Sequence, residues 1–329
     1  MFDYYLRLAL RRCRQNPAVV GLLVLTMAIG IASCMTAMTI FGALAGEPLP
    51  GISPQLYVAT MDARGAVDKD NPDYKQPDSW LKLSDAKALV DAHRARQQLA
   101  LAQSLTTMDS PDGKHSEQAW GFMVYGEPLG MLGVPLRHGR PWTTQELVAR
   151  VPVVVIDSDL AQKLFGSTDA VGRSVLLGGK PFRVIGVTAP WKPHTVFLDL
   201  QRNQDNPQGS NEGFFVPAEA ALDAGVGPFT SGECGKGAPV IGFQSASVQK
   251  CRWMEVWLAL DSPAQVADWN GFLAGYANAQ HDAGRFVYPP QPKLYGTTMR
   301  FLQVMGLDSL DNLPTPKTEG LELSQRASG

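Results

Sequence analysis

The residues of this 329-residue chain that could do chemistry are five histidines, four cysteines and a few close acids. His93, His115, His138, His194 and His281 could bind a metal or move protons. None has a Cys or His neighbour at metal-ligand spacing, and no H-E-x-x-H occurs. No G-x-S-x-G elbow offers a serine nucleophile. Asp157 and Asp159 could form a carboxylate pair for acid–base work, but the DLAQKLF run beside them suits a helix cap better. Gly178-Gly179-Lys180 has the flavour of a phosphate loop. It lacks the earlier glycine and the Ser/Thr after lysine, and it lies in a hairpin pattern rather than before a helix. Nothing here forms a catalytic constellation, so neither an enzyme nor a cofactor or metal is expected.

One feature decides which compartment each of these residues occupies. Between Pro17 and Gly46 no side chain is charged, and a hydrophobic run of helical length occurs nowhere else. As a helix, Ala18–Ala45 would reach ~42 Å at about 1.5 Å per residue, against a hydrocarbon core of ~30 Å. Arg7, Arg11, Arg12 and Arg14 precede the run, and a long polar segment, Glu47–Gly329, follows it. That asymmetry predicts a single-pass anchor over 17–46, with residues 1–16 cytoplasmic and the main domain on the far side. The first sixteen residues outline an amphipathic helix. Its four arginines would sit on membrane lipid at the inner surface, besides setting orientation. Thr36, Thr39 and Gly42 suit close packing against other membrane helices, or are simply tolerated in a lone span.

Two processing sites compete with an anchor. Ala43-Leu44-Ala45 has the small-x-small form of a signal-peptidase site, and Ile31-Ala32-Ser33-Cys34 resembles a lipoprotein box. The apolar region is too long for the first. The second should be followed by a polar tether, and Met35, Met38, Ile40 and Phe41 follow instead. A continuous span explains the whole run.

Charge is near balance. Of 29 Lys+Arg, four precede the span, and of 31 Asp+Glu, only Asp3 does. No basic stripe exists, which argues against nucleic acid as a partner. Cys13 falls in the cytoplasm and Cys34 in the membrane. Cys234 and Cys251 fall outside, where oxidation is permitted, so a Cys234–Cys251 disulfide is expected to close the Gly-, Ser- and Gln-rich loop between them. Such a loop closure is worth about 3 kcal/mol by chain entropy.

The outer segment reads as strands and helices in mixed order. Gln55–Met61 is strand-like, and Ser84 should cap a helix, DAKALVDAHRARQ, with Ala88, Leu89 and Ala92 inward. Leu99–Met108 and Gln118–Tyr125 flank a turn at Asp109–Gly113. Val151–Ile156 fits a buried strand, and the helix after it is capped by Asp157 or Ser158 and ended by Gly166. Ser174–Leu177 and Pro181–Val187 flank Gly178-Gly179, a hairpin signal. Gly209–Val216 and Arg252–Leu260 are further strands. Pro263 opens a helix with Val266, Trp269, Leu273 and Tyr276 on one face, and Arg285–Tyr288 reads as a last strand. The seven tryptophans could line a cleft, but core packing is their commoner role. The fold class is α+β: strand–helix–strand units open and close the domain around a β-rich insert.

Particular residues carry a resemblance. LRLALRRCRQNPAVVGLLVLTMAIGIASCMT, Gly130–Glu146 (GMLGVPLRHGRPWTTQE) and Val153–Val187 (VVVIDSDLAQKLFGSTDAVGRSVLLGGKPFRVIGV) together resemble MacB-type ABC transporter permeases, a group related to FtsX. Gly139, Arg140, Phe165, Gly166, Gly172 and Gly186 carry the match as structural rather than catalytic motif residues. The resemblance runs from about Tyr5 to Tyr295. It implies a porter-like α/β periplasmic domain over 47–295 with a β-rich insert at about 130–215, in a bacterial inner membrane. It also implies a separate ABC ATPase, since no Walker motif occurs here, and points to a second permease copy and a periplasmic adaptor as further partners. Such permeases continue with three more membrane helices. Residues 296–329 turn polar instead and read as a disordered tail, as in the N-terminal part of a permease that is truncated, frameshifted or split. The rival readings are a single-pass binding or sensor module without transport and, more remotely, an anchored enzyme.

Overall fold

The structure is a computed structural model that describes residues 16–44, 49, 51–61, 63, 79–191, 198, 213–229, 251–288, 290–297 and 299–300. The chain divides into two compact units, Met1–Gly46 and Glu47–Gly329.

In the first unit, helix α1 (Pro17–Leu44) carries no charged residue. Leu22, Leu25, Ile29, Ile31 and Met38 are all exposed, so its apolar surface finds no cover within the helix. Its hydroxyls are satisfied internally. Thr26 donates to the Leu23 carbonyl at 2.9 Å, Ser33 to Ile29 at 2.9 Å, Thr36 to Ala32 at 2.8 Å and Thr39 to Met35 at 2.8 Å. Ser and Thr hydroxyls within a helix reach back to the carbonyl three or four residues earlier. Over Pro17–Thr36 the mean hydropathy is 2.4, and the helix is long and apolar enough to cross a membrane.

The second unit is α+β. Its strands are β1 (Leu56–Thr60), β2 (Leu81–Lys82), β3 (Gln97–Asp109), β4 (Ser116–Tyr125), β5 (Leu136–Gly139), β6 (Val153–Asp157), β7 (Ser174–Leu177), β8 (Lys180–Thr188), β9 (Phe214–Pro217), β10 (Arg252–Ala259) and β11 (Lys293–Gly296). Its helices are α2 (Leu83–Asp91), α3 (Pro128–Met131), α4 (Thr144–Val148), α5 (Ser158–Phe165), α6 (Ala218–Asp223) and α7 (Pro263–Asp282). The strands make one mixed sheet in the order β11-β1-β10-β3-β4-β9-β6-β8-β5. β2 pairs with β10, and β7 bridges β3 and β8. Strands β3, β4, β9, β6, β8 and β7 pair in turn and β7 returns to β3, so these six close a ring.

Local chemistry explains the elements the sequence announces. Asp157 caps α5 by accepting the Leu160 N–H at 2.7 Å, and Gly166, at φ 68°, ends it in the left-handed conformation. Ser262 caps α7 with Pro263 at its first position, and Trp269, Leu273 and Ala277 are buried at helical spacing. Gly178 and Gly179 reverse the β7–β8 hairpin with φ 58° and 76°. The Lys180 ammonium donates to the Asp223 carbonyl, so this glycine pair is a turn and not a phosphate cradle. All eight residues of β10 are buried, Trp253 and Trp257 completely.

Three expectations need correction. Helix α2 starts at Leu83 and stops at Asp91; its N-cap, Lys82, makes no side-chain cap bond, and Ser84 lies in the first turn. Ala88 is exposed and Ala92 half-buried, while Leu89, Ala86 and Val90 face the core. The helix stops early because the Gln98 side chain donates to its last carbonyls, Leu89 and Val90, and accepts the N–H of Arg94 and Ala95. Second, Arg285–Tyr288 is not a strand. Arg285 and Phe286 donate their backbone N–H to the Gln280 carbonyl and close the end of α7, and the pairing strand is β11, beyond the prolines. Third, the packed unit runs through Arg300 rather than ending at Tyr295. Gly296 pairs with Tyr57, and Thr297 and Arg300 are buried. Residues 301–329, and residues 209–212 of the expected strand, lie outside the described residues.

Gly121 sits where β4 runs parallel to β9, and a Cβ there would overlap the Phe214 carbonyl and ring. Gly121→Ala should cost about 1–3 kcal/mol, read as a lower urea midpoint by tryptophan fluorescence. An unchanged midpoint would mean that β4 and β9 are not joined in solution.

Candidate functional site

The motif residues fall into two adjoining knots beside β8. In the first, β5 ends at Gly139 with φ 81°, and a Cβ there would overlap the Ile185 carbonyl. Arg140 donates its backbone N–H to that carbonyl at 3.0 Å. Gly186 lies opposite, where a Cβ would come 2.9 Å from the Arg140 carbonyl. Gly172, at φ 86°, donates to the Val184 carbonyl at 2.7 Å. Each glycine thus permits either a left-handed turn or a close approach of two backbones.

The Arg140 side chain supports this knot. Its guanidinium grips Glu146 through two bonds of 2.7 Å. Glu146 also accepts the Thr143 N–H at 2.9 Å, and the Thr143 hydroxyl accepts the Glu146 N–H at 3.1 Å. That capping box starts α4. The Arg140 hydrogen bond holds the Glu146 carboxyl down at about 2, against an ordinary 4.5. In the second knot, Phe165 ends α5 beside Gly166. The Arg173 guanidinium lies 5.3 Å from the Phe165 ring centre and donates to the Phe165 carbonyl at 3.4 Å.

An open groove of about 380 Å³ runs along the first knot, lined by Gly139, Arg140, Val171, Gly172, Arg183, Val184 and Ile185. Val171 and Arg183 are exposed there. Its charged lining residues are Arg140 and Arg183. Among the described residues, no group of three or more His, Cys, Asp or Glu is placed to hold a metal. Asp157 serves its helix, and burial pushes its carboxyl up from the usual range.

Other expected site residues are separate. Arg7, Arg11, Arg12, Arg14 and Cys234 lie outside the described residues. Cys251 is buried and disulfide-bonded. Cys34 is a free, exposed thiol on α1. Of the tryptophans, Trp142, Trp253, Trp257 and Trp269 are buried, and Trp142 donates to the Gly126 carbonyl at 2.8 Å. Trp120 and Trp191 are half-buried against Phe229 and Phe215.

Sequence reasoning missed three ionic clusters built on buried carboxylates. Glu219 joins Lys87 and Arg150, each at 2.8 Å. Asp85, fully buried, accepts from the Tyr276 hydroxyl at 2.7 Å and from Arg285 at 2.6 Å. Glu255 receives Ser79 at 2.6 Å and lies 3.4 Å from Arg300. One signal was available: Glu255 and Arg252 interrupt an otherwise apolar strand, RWMEVWLA.

Residues 20–270 match the family of MacB-like periplasmic core domains. The macrolide export ATP-binding/permease protein MacB of Shigella dysenteriae serotype 1 (strain Sd197) is 29% identical over 191 residues, which cover 56% of this chain and 28% of that protein. MacB of Escherichia coli (strain K12) gives the same identity and coverage. The chain therefore spans little more than a quarter of these relatives. The crystal structure of the periplasmic region of MacB from Actinobacillus actinomycetemcomitans aligns with a TM-score of 0.48 at 17% identity, over 82% of this chain and 99% of that one. The extracellular domain of the ABC-type transporter YknZ from Gram-positive bacteria aligns at 0.45 and 16%, over 72% and 98%.

Because the folded-state pKa of Glu146 is depressed, its contribution is present above pH 4.5 and lost as pH falls toward about 2. Glu146→Gln should cost about 1 kcal/mol near neutral pH, since Arg140 is half-exposed and screened. Urea midpoints of the two proteins should converge at about pH 2–3. A gap that stays constant with pH would remove the ion pair from the account.

Proposed function

The chain belongs to the family of MacB-like periplasmic core domains, part of an ABC transporter permease family, and from that premise we propose that it is a permease component whose ATPase is a separate cytoplasmic protein. The observation that carries this reading is the reach of the family match. It begins at residue 20, inside α1, and ends at residue 270, inside α7, so the apolar helix and the α+β unit belong to one family segment.

In this reading α1 spans the bacterial inner membrane once, with its N-terminus in the cytoplasm and the α+β unit in the periplasm. Arg7, Arg11, Arg12 and Arg14 hold the entry of the helix at anionic lipid. ATP-driven closure of the partner moves the membrane helices, α1 carries that motion outward, and the outer unit changes shape, which couples the partner's ATP hydrolysis to export or efflux. This is mechanical switching of a two-state assembly rather than chemistry at a site. Within the outer unit, residues of about 130–215 act as an inserted β-rich subdomain. A Cys234–Cys251 bridge ties the loop before β10 in an oxidising space. A second permease copy and a periplasmic adaptor complete the assembly.

The test is to express the tagged chain at native level in its own host and purify it in detergent. The expected result is co-elution of the ATPase, with protease added to intact spheroplasts cutting only beyond Glu47. A chain that elutes without an ATPase would favour an anchored sensor module, and protection beyond Glu47 would reverse the orientation.

A further inference from the structure

Glu255 and Arg300 place opposite charges deep inside the second unit. Glu255 on β10 is 1% exposed, and Arg300, which follows β11, is 2% exposed. The Arg300 guanidinium donates to Ser79 Oγ at 2.5 Å and lies 3.4 Å from Glu255 Oε1. Ser79, itself buried, donates to that same oxygen at 2.6 Å, and Trp257 Nε1 donates to the other carboxylate oxygen at 3.3 Å. Arg252, on the same strand, donates to the Trp80 carbonyl at 3.5 Å. Three stretches of chain therefore meet at one carboxylate: the approach to β2, strand β10, and the segment after β11.

A second tie joins the segment after β11 to the entering stretch. The Thr297 hydroxyl donates to the Ser53 carbonyl at 3.3 Å. The Ser53 hydroxyl accepts the Leu49 N–H at 2.7 Å and donates to the Leu49 carbonyl at 3.0 Å. Leu49–Gln55 is the stretch by which the chain enters this unit after α1 in sequence. Thr297–Arg300 is the stretch by which it leaves the sheet.

A buried ion pair is a poor way to add stability, because desolvation of both charges offsets their attraction, and an apolar pair of equal size often serves as well. What it adds is geometry. β11 is a four-residue strand at the edge of the sheet, and a slip of two residues along β1 would keep its side-chain alternation. The planar guanidinium, seated on Ser79 and Glu255, admits one register.

We infer that Ser79, Glu255 and Arg300 form a positioning clamp that seats the leaving end of the outer unit and, through Thr297–Ser53 and the β1–β11 ladder, makes the entering end move with it as one body. Displacement of one end then reaches the other without being absorbed as slack. The inference draws on the transport reading only for the purpose of that motion. Its test reads coupling within the chain itself, so it can succeed or fail independently of ATPase binding.

The test is hydrogen–deuterium exchange by mass spectrometry on the full chain in detergent, following peptides 49–60, 293–300 and, as reference, 97–109. A double variant, Glu255→Leu with Arg300→Met, replaces the pair with apolar side chains and so avoids leaving a lone buried carboxylate. Exchange in 49–60 and 293–300 should rise together by about tenfold or more, with 97–109 unchanged. Thr297→Val, which removes only the hydrogen bond to Ser53, should raise exchange in the same two peptides to a lesser extent. Native-like protection of both ends in the double variant would overturn the clamp. So would loosening of 293–300 with 49–60 unmoved. Loss of protection in 97–109 as well would make the cluster a stability element and also overturn it.

Discussion

The β3–β4 hairpin is the constraint on which the second unit depends. Its strands are held in one register from Ala100↔Tyr125 to Asp109↔Ser116. β3 is long enough to serve two ladders: Gln97–Leu101 pair with β10, and Met108 and Asp109 pair with β7. On the other side, Gly121–Val124 pair with β9. Strands from either flank of the sheet reach the other flank only through this hairpin. Leu99–Ala102 and Phe122–Val124 are buried on both faces, so a slipped register would find no side chain free to turn outward.

Around that spine the interior is tied by charge as well as by apolar packing. Glu219 on α6 gathers Lys87 from α2 and Arg150 from the loop before β6. Asp85 on α2 gathers Tyr276 and Arg285 from α7 and its end. These pairs join stretches far apart in the chain. Burial and the Asp85 hydrogen bond push the Tyr276 hydroxyl up, and burial with Asp91 does the same at Tyr125, so both remain neutral donors at physiological pH. The helices around the sheet need a fixed placement relative to one another. The carboxylates supply that through directed bonds, whereas an apolar core tolerates repacking.

What could be read from the sequence was what local chemistry specifies. The caps at Asp157 and Ser262, the stop at Gly166, the glycine hairpin of β7 and β8 and the uncharged α1 all depend on residues within a few positions of one another. The early end of α2 was hidden because Gln98, which terminates it, belongs to the next strand. The segment after α7 has strand composition, but a backbone grip from the Gln280 carbonyl overrides it. The motif positions were recognisable as pairs. Why Gly139 and Gly186 must both be small emerges only when β5 and β8 lie side by side. The three ionic clusters depend on pairs separated by up to some 200 residues, and no window of sequence displays them.

The six-stranded ring is unevenly sewn. Among the described residues, β7 meets β3 at Met108↔Leu177 and Asp109↔Leu176, and β6 meets β9 at Val155↔Phe215 and Ile156↔Phe214, with one further bond from the Asp157 N–H to the Gly213 carbonyl. Both seams unite stretches that are distant along the chain, whereas the β3–β4 and β7–β8 hairpins are local. Closing long loops is entropically slow, so the hairpins can form early and the circle is completed last. Until then the nascent domain carries raw strand edges that could stick to a neighbouring chain. Its vulnerability to aggregation therefore lies in how quickly two short seams are stitched, not in the strength of the finished core.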